Sequence, residues 1–440
     1  MKINKILFSV LLIVWNSLTM ADIINIPDDY PTIQQGIDAS VNGDIVLAQP
    51  GVYYENINFN GHNITLGSLF FTTGDSSYIS STIIDGGLSG TVIRVENQET
   101  YAAVSGMTIQ NGRDSNSGGI YCRESNVTIT DCRILANETY GFGGGVHCDS
   151  NSYIELSRNI IAGNSSDWGG GGLYIENSDA LINRNVISGN SVVAFGGGLL
   201  LNAGASAELY NNSFSDNFAF YGGGISIMNN SHPIIISTIF WGDSSFTGES
   251  EIYMDGTSSP SFAFCDVQNV LLPGIGNISV DPLFRDPEGG DYHLMATACG
   301  DNSDSPCIDA GDPSVPDSLL DCYWGLGTLI SDMGAFGGWE YIMIGIEHPS
   351  SLPNGFALMQ NFPNPFNAST VIEFQLPEAS NVMLTVYDLL GREVDILIDN
   401  YMLPGVHTAI FDASSLPSGI YLYRLQTDNQ SSIKKMILLK

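Results

Sequence analysis

Six aromatic and polar residues recur at a fixed spacing and carry side chains suited to sugar chemistry. They form two columns two residues apart, each advancing by 26 or 27 residues: Tyr121, His147 and Tyr174, then Arg123, Asp149 and Glu176. Aromatic faces pack against the C–H patches of sugar rings, while carboxylates and arginine bind hydroxyl groups. The pattern predicts a carbohydrate-binding surface built from these six side chains.

The same surface has a second interpretation, in which Asp149, Glu176 and His147 are catalytic. If each column advances by one turn of a coil, the carboxylates of Asp149 and Glu176 lie about 5 Å apart, the separation found in retaining glycosidases. Two carboxylates this close can also raise the pKa of one another. Exposed acids are nevertheless common on solvated sheets, so binding is the favoured hypothesis and catalysis the alternative.

A loop-rich stretch after the repeats carries several carboxylates. Asp301 and Asp304 stand close to Asp309 and Asp312. Calcium in proteins is held by oxygen ligands, so Asp301 and Asp304 are the candidate metal ligands of this chain. The spacing of a complete calcium loop is missing, and no cofactor other than Ca²⁺ is expected.

A glycine-rich block sets the spacing of all these residues. Five blocks end at Gly119, Gly145, Gly172, Gly198 and Gly224. The alternating apolar pattern after each block is typical of a strand, and two more alternating runs predict three strands in each repeat. Coiling keeps equivalent positions in register about 4.8 Å apart, and the crossover rule favours a right-handed coil. The predicted fold is all-β: a right-handed parallel β-helix followed by a small C-terminal β-sandwich.

Asparagines recur with the same period and support the coil. Amides stacked at successive turns bond each other and the turn backbone, which satisfies groups that the sheets leave free. Two columns are predicted to form such ladders: Asn159, Asn185 and Asn212, and Asn111, Asn137, Asn164, Asn190 and Asn217 with Asp243.

Two further patterns concern the end of the coil and its turns. Residues 31–38 predict a short helix with Ile33 and Ile37 on one face, which covers the first turn of the coil. An aromatic column before the glycines is predicted to stack ring on ring, with a carbohydrate platform as the alternative: Phe142, Trp168, Phe195 and Tyr221.

Charge excludes one class of partner. The 440 residues have a formal net charge of −33, and residues 22–345 contain seven Arg and no Lys. Nothing in such a chain neutralises phosphates, so nucleic acid is not an expected partner.

The N-terminal residues predict export. Lys2 and Lys5 precede an apolar run, and small residues follow near Ala21, so residues 1–21 are predicted to be a signal peptide. The run is too short to span a bilayer, and no other stretch of the chain is long and apolar enough, so no transmembrane segment is expected in the mature chain. Seven cysteines permit disulfides in an exported protein, and one pair among Cys299, Cys307 and Cys322 is expected to be bridged.

Several runs outside the glycine blocks resemble right-handed parallel β-helix proteins of the pectin-lyase-like class. They are "IPDDYPTIQQGIDASVNGDIVLAQPGVYYENI" before the blocks and "VDPLFRDPEGGDYHL", "SPCIDAGDP" and "DMGAFGG" after them. The resemblance implies this fold for residues 22–345. It does not imply one activity, since the architecture serves lyases, hydrolases and adhesins. The base motifs of the lyases and the Asp and Gly-His-Gly motifs of polygalacturonases are not found.

The last part of the chain breaks the repeat. Residues 346–355 are predicted to be a linker. Residues 356–440 alternate in short strands and resemble the C-terminal sorting domain of type IX secretion substrates, with the landmarks "NFPNPFN", "YDLLGR", "SGIY" and "KKM". The resemblance implies recognition by the type IX machinery and delivery to the outside or outer surface of a Gram-negative bacterium. We therefore expect an exported β-helix protein that binds extracellular glycan, with a glycoside hydrolase or lyase as the alternative.

Overall fold

The computed structural model describes residues 21–248, 251–317, 322, 325–337, 356–361, 364, 366–367, 369–376, 380–388, 391–402, 405–413, 416–427 and 430–438. Residues 1–20 of the predicted signal peptide and the predicted linker, 346–355, lie outside them. The chain divides into two compact units, Met1–Glu340 and Tyr341–Lys440. No helix in the described part of the chain is long and apolar enough to cross a bilayer.

Four parallel sheets wind around the first unit, which confirms the predicted parallel β-helix. Sheet 1, which follows the glycine blocks, comprises Ile57–Asn58, Ile93–Val95, Ile120–Arg123, Val146–Asp149, Leu173–Glu176, Leu199–Asn202, Ile225–Ile227 and Ile252–Met254. Sheet 2 comprises Ile23–Ile26, Ile45–Ala48, Thr65–Ser68, Ala102–Ser105, Asn126–Thr130, Tyr153–Ser157, Asp179–Asn183, Ser206–Tyr210, Ile234–Ile236 and Ser261–Ala263.

The other two sheets complete each turn of the coil. Sheet 3 comprises Gly51–Tyr54, Thr82–Asp85, Thr108–Gln110, Arg133–Leu135, Ile160–Ala162, Val186–Ser188, Ser213–Ser215, Ile239–Phe240 and Asp266–Val267. Sheet 4 has two-residue strands: Arg113–Asp114, Glu138–Thr139, Ser165–Ser166, Ser191–Val192, Phe218–Ala219 and Ser244–Ser245. The prediction of three strands in each repeat is therefore wrong, because a two-residue strand is too short to show an alternating pattern.

The repeat spacing places apolar side chains in continuous columns inside the coil. Ile120 pairs with Val146, Val146 with Leu173, and Leu173 with Leu199. All four side chains are fully buried. Cys122 and Cys148 lie side by side in the next inward column as buried free thiols. The core is thus one column of stacked side chains for each inward position.

The glycine blocks let successive turns approach closely. A Cβ atom on Gly144 would lie 2.4 Å from the carbonyl oxygen of Gly171 and 2.5 Å from that of Ser165. Real Cβ atoms do not approach backbone oxygens so closely, so a larger residue would push the turns apart. The glycines are therefore required by contact between turns.

The predicted helix at the start of the coil is confirmed. It spans Ile33–Ala39, buries Ile33 and Ile37, and begins after Thr32, whose side chain accepts a hydrogen bond from the Gln35 N–H at 3.2 Å. Shorter helical segments occur at Phe70–Thr73, Ser77–Ser81, Pro287–Gly289 and Thr297–Cys299.

Replacing Thr32 by alanine is expected to lower the free energy of unfolding by about 1 kcal/mol, because the helix loses the acceptor at its N-cap. The measurement is denaturant unfolding followed by circular dichroism. Thr32→Ser, which keeps the hydroxyl, is the control. An equal loss in the serine variant would show that the hydroxyl is not the stabilising group.

Residues after the last turn pack against the outer face of sheet 3. The hairpin Phe284–Asp286 and Asp291–Leu294 contributes Phe284, Tyr292 and Leu294 to a small core that includes Val186 and Ile239 of the sheet. A disulfide joins Cys299 to Cys322, whereas Cys307 is a buried free thiol. The expected bridge is thus confirmed and its pairing identified.

The second unit consists of antiparallel sheets. One contains Ala357–Leu358, Ser369–Leu376 and Gly405–Asp412, and the other contains, in spatial order, Glu393–Met402, Ser380–Asp388, Gly419–Gln426 and Ser431–Leu438. Their buried residues, including Phe374, Phe411 and Tyr423, form one core. The alternating pattern of this region therefore produces the expected small β-domain.

Candidate functional site

The predicted acidic and basic residues lie side by side on sheet 1. Arg123 pairs with Asp149 across neighbouring turns, and Glu176 pairs with Asn202. Each is the last residue of its strand. We call Arg123, Asp149, Glu176 and Asn202 the polar row. The sequence repeat therefore placed Arg123 beside Asp149 correctly.

Asp149 is the centre of the contacts in the polar row. The Tyr121 hydroxyl donates a hydrogen bond to its Oδ2 atom at 3.1 Å. The Nε2 atom of His147 lies 3.6 Å from the same oxygen, and the Nε atom of Arg123 lies 3.9 Å from Oδ1. Four of the six predicted residues are thus brought together around one carboxylate.

Glu176 belongs to a neighbouring set of hydrogen bonds. Asn202 donates from Nδ2 to Glu176 at 3.3 Å and to the Tyr174 hydroxyl at 2.9 Å. Asn229 in turn donates to the Oδ1 atom of Asn202 at 2.7 Å. The polar row therefore continues as an amide-rich strip that the sequence reasoning did not include.

The expected exposure of Tyr121, His147 and Tyr174 is wrong. Their exposed fractions are 4%, 7% and 2%. The turn before each glycine block folds back over sheet 1: Phe142 stacks on Tyr174 at 4.6 Å, and the Asn116 carbonyl lies 2.9 Å from Nδ1 of His147. Pointing away from the core is therefore not the same as facing solvent, and these rings offer no open face to a sugar.

Burial also sets the protonation of these covered side chains. It lowers the pKa of His147, and it raises the pKa of Tyr121 to about 12, with the Asp149 charge adding to that shift. A carbonyl oxygen only accepts, so the hydrogen bond to Asn116 places the proton of neutral His147 on Nδ1. His147 at neutral pH therefore presents an unprotonated Nε2 atom towards Asp149.

A second surface, which the sequence reasoning missed, lies on sheet 4. It is an open groove of about 440 Å³, here called the aromatic groove, lined by Glu138, Ser165, Ser166, Asp167, Ser191, Val192, Val193, Phe218, Phe220 and Phe246. Phe220 and Phe246 stack at a centroid distance of 5.3 Å, and Phe246 is 77% exposed. The sequence does contain a signal for this groove: Phe218 and Phe220 flank Ala219, and Phe246 follows Phe220 by 26 residues, which is one repeat.

The predicted aromatic column before the glycines is only partly correct. Phe195 and Tyr221 stack at 5.2 Å. Phe142 and Phe195, however, are both in register with Gly169, and Trp168 is displaced by one residue and 62% exposed. A fourth glycine in this block shifts the tryptophan out of the column.

The candidate calcium ligands are engaged elsewhere. Asp301 accepts hydrogen bonds from Arg285 and from the Ala296 N–H, and Asp304 accepts from Thr297. The described residues contain no group of three or more His, Cys, Asp or Glu side chains placed to hold a metal ion. The structure does not bring Asp301 and Asp304 together as ligands.

Two family profiles match the chain. The one described as "Right handed beta helix region" matches residues 51–214 and 144–278, which together span more than half of the chain. The one described as "Secretion system C-terminal sorting domain" matches residues 360–439. No curated protein is significantly similar in sequence.

Solved structures with partial similarity include pectin-active proteins. A pectate lyase has 13% identity and a TM-score of 0.37, covering 72% of this chain and 96% of its own. A pectin methylesterase bound to a hexasaccharide has 11% identity and a TM-score of 0.32, covering 64% and 100%. The Escherichia coli protein YbhC has 14% identity and a TM-score of 0.28, covering 53% and 75%. Similarities of this size leave the activity of this chain open.

Proposed function

We propose that this chain, which belongs to the right-handed β-helix family and carries a type IX secretion sorting domain, binds extracellular glycan. The proposed binding site is the aromatic groove. The observation that carries the proposal is the exposed, stacked pair Phe220 and Phe246 in an open groove. Secretion brings this groove into contact with the polysaccharides outside the cell.

The composition of the groove suits an uncharged sugar chain. Exposed aromatic rings present faces on which the C–H side of a sugar ring packs, and ligand sites combine such surfaces with a few polar groups. Here the polar groups are the hydroxyls of Ser165 and Ser191 and the carboxylate of Asp167. Turns repeat about every 4.8 Å, so an extended sugar chain lying along the coil would cross several turns.

Charge disfavours an acidic polysaccharide in this groove. Among the described lining residues are two acids, Glu138 and Asp167, and no base. Arg113, which approaches from the neighbouring turn, is paired with Glu138 at 2.9 Å. A polyanion would therefore meet net negative charge here, and the proposed ligand is a neutral glycan.

A second candidate function is glycoside hydrolysis at the polar row, where Arg123 would help to bind the substrate, Asp149 and Glu176 would act on it, and the buried Tyr121, His147 and Tyr174 would support these side chains from below. The observation favouring it is their position on neighbouring turns: the ladder spacing of about 4.8 Å is close to that of retaining glycosidase carboxylates. The amides of Asn202 and Asn229 would add contacts to sugar hydroxyls.

Binding should depend on the two stacked rings. We expect Phe220→Ala and Phe246→Ala each to weaken binding of a neutral polysaccharide about tenfold, because a stacked ring contributes about 1 kcal/mol or more. The measurement is affinity electrophoresis of the full chain in a neutral glucan, a galactomannan and polygalacturonate. Tyr140→Ala is the control, because Tyr140 is 53% exposed near sheet 4 but does not line the groove.

The same samples separate binding from hydrolysis. Binding that is unchanged in both phenylalanine variants would contradict the role of the groove. Release of reducing ends from any polysaccharide, lost in Asp149→Asn or Glu176→Gln, would establish the hydrolytic function instead. Retardation by polygalacturonate alone would contradict the proposed neutral ligand.

A further inference from the structure

A buried asparagine ladder runs beside the aromatic groove. The ladder starts at Asn137, whose Oδ1 accepts from the Gly112 N–H, and the predicted first member, Asn111, bonds to Asp85 instead. From Asn164 onwards each amide oxygen accepts two hydrogen bonds from the preceding turn: Oδ1 of Asn190 accepts from the backbone N–H and from Nδ2 of Asn164, both at 3.0 Å. Asn190 is fully buried. In this ladder the side-chain N–H group of each asparagine before the last therefore donates to the amide oxygen of the asparagine in the next turn.

The ladder ends in a carboxylate. Asp243 follows Asn217 in the column, and its Oδ1 atom accepts from the backbone N–H and Nδ2 of Asn217, both at 2.8 Å. The side chain of aspartate has no N–H to donate. The last member of the ladder is therefore the first without an amide donor.

A second carboxyl group stands where earlier turns have a glycine. Ile252 pairs with Ile225, which puts Glu251 beside Gly224, the last glycine of its block. In an earlier turn the equivalent Gly172 lies against the ladder amide, and a Cβ atom there would be 3.0 Å from Nδ2 of Asn190. Glu251 thus brings its side chain to the place where the ladder would continue.

Asp243 and Glu251 are 4% and 3% exposed and meet at Gly224, whose Cβ position lies 2.6 Å from Oδ2 of Asp243 and 2.8 Å from the Glu251 carbonyl oxygen. The two carboxyl groups shift the pKa of one another. Neither Oδ2 of Asp243 nor either carboxyl oxygen of Glu251 has a hydrogen-bond donor of good geometry. Ionised carboxylates only accept, so the two groups satisfy each other only when one of them is protonated. We propose that this pair holds one shared proton, which keeps the last strand of sheet 4 closed against the coil, and that this part of the coil opens when the proton is lost at alkaline pH.

Burial and the neighbouring acids favour retention of the proton, and they outweigh the backbone N–H groups of Gly242 and Asp243, which lower the pKa of Glu251. Burial raises the pKa of Glu251 well above the ordinary carboxyl range, and the neighbouring Asp243 raises it further. Burial also raises the pKa of Asp243, to which the charge of Asp216 adds. Tyr292, which donates to Asp216 at 3.2 Å, is the other titratable group that faces the pair in the described part of the chain.

The sign of the pH effect follows from raised pKa values. The stabilisation by the pair is fully present below the ordinary carboxyl pKa of about 4 and decreases as the pH rises towards the folded-state pKa values. Opening releases a proton, so the opening equilibrium constant increases by up to about tenfold per pH unit across this window.

Opening of the segment between Asp243 and Glu251 would also change the aromatic groove, and this consequence rests on the proposed function. The strand Ser244–Ser245 and Phe246 come directly after Asp243 and before Glu251 in the chain. Opening of this end of sheet 4 would withdraw Phe246 from its stack on Phe220. Glycan binding should therefore weaken at alkaline pH.

The test is hydrogen–deuterium exchange of the full chain, read on peptides covering residues 242–255, from about pH 5 to about pH 9. Protection factors, which remove the intrinsic pH dependence of exchange, should fall by up to about tenfold per pH unit in the wild type. Asp243→Asn and Glu251→Gln each replace the proton by a permanent amide donor and should abolish this dependence. Peptides from the interior turns 146–176 are the internal control.

Each outcome has a distinct meaning. The proposal would be overturned if the protection factors of the wild type did not depend on pH, or if both variants kept the pH dependence of the wild type. Two variants are used because one of them could fail to fold. Restoration of protection at alkaline pH by added Ca²⁺ alone would overturn it too, by showing a cation site in place of a proton site. The expected exchange behaviour without any glycan binding would overturn the function proposed for the groove and leave the shared proton intact.

Discussion

Asn190→Leu is expected to lower the free energy of unfolding by about 3–6 kcal/mol, because it leaves several buried polar groups unpaired at about 1–3 kcal/mol each. Oδ1 of Asn190 accepts two hydrogen bonds from Asn164, and its Nδ2 donates to the Ile161 carbonyl and to Asn217. Leucine has a similar size, so lost hydrogen bonds, not a cavity, account for the effect. The measurement is denaturant unfolding followed by circular dichroism.

The matched control for this change is Asn97→Leu. Asn97 is exposed and its side chain makes one hydrogen bond, to Asn58 at 3.3 Å. Its replacement should change the free energy of unfolding by less than about 0.5 kcal/mol. If both substitutions lowered the free energy of unfolding equally, the hydrogen bonds of the buried ladder would not be a particular source of stability.

Deletion of residues 356–440 is expected to abolish delivery to the outside of the cell, because these residues contain the sorting domain matched at 360–439. In a host with a type IX secretion system, the truncated protein should accumulate in the periplasm, as measured by fractionation and immunoblotting. The full-length protein in the same host is the reference.

A gain-of-delivery experiment separates sorting from simple misfolding of the truncated chain. Residues 356–440 fused to an unrelated exported reporter should carry that reporter to the surface or medium. Arrival of the truncated protein at the surface would show that delivery does not depend on this domain.

The periodic part of the fold was predictable because each turn repeats the same contacts. The glycine spacing aligned Ile120 with Val146 and Arg123 with Asp149, and both pairs are neighbours in sheet 1. The helix Ile33–Ala39 was predictable from the spacing of its two buried isoleucines. These features depend on local patterns and on register, which a single sequence records.

The candidate sites were less predictable because they depend on the path of the turns between strands. Alternation correctly pointed Tyr174 away from the core, but it held no information on Phe142 folding back over it. The aromatic groove was missed for a related reason: strands of two residues, such as Phe218–Ala219, are too short to reveal a face. The disulfide partner of Cys299 likewise depended on loop geometry, which spacing does not encode.

The asparagine ladder also constrains how this protein can change in length. Because Asn164, Asn190 and Asn217 each bond only to the turns directly before and after them, an interior repeat can be duplicated without altering the bonding pattern of its neighbours. The turn that carries Asp243 and Glu251 cannot be copied in this way, because continuing the ladder and sheet 4 beyond it would require asparagine and glycine in their places. Related proteins with more or fewer turns should therefore differ by whole interior repeats, and each added repeat would lengthen the groove by about 4.8 Å.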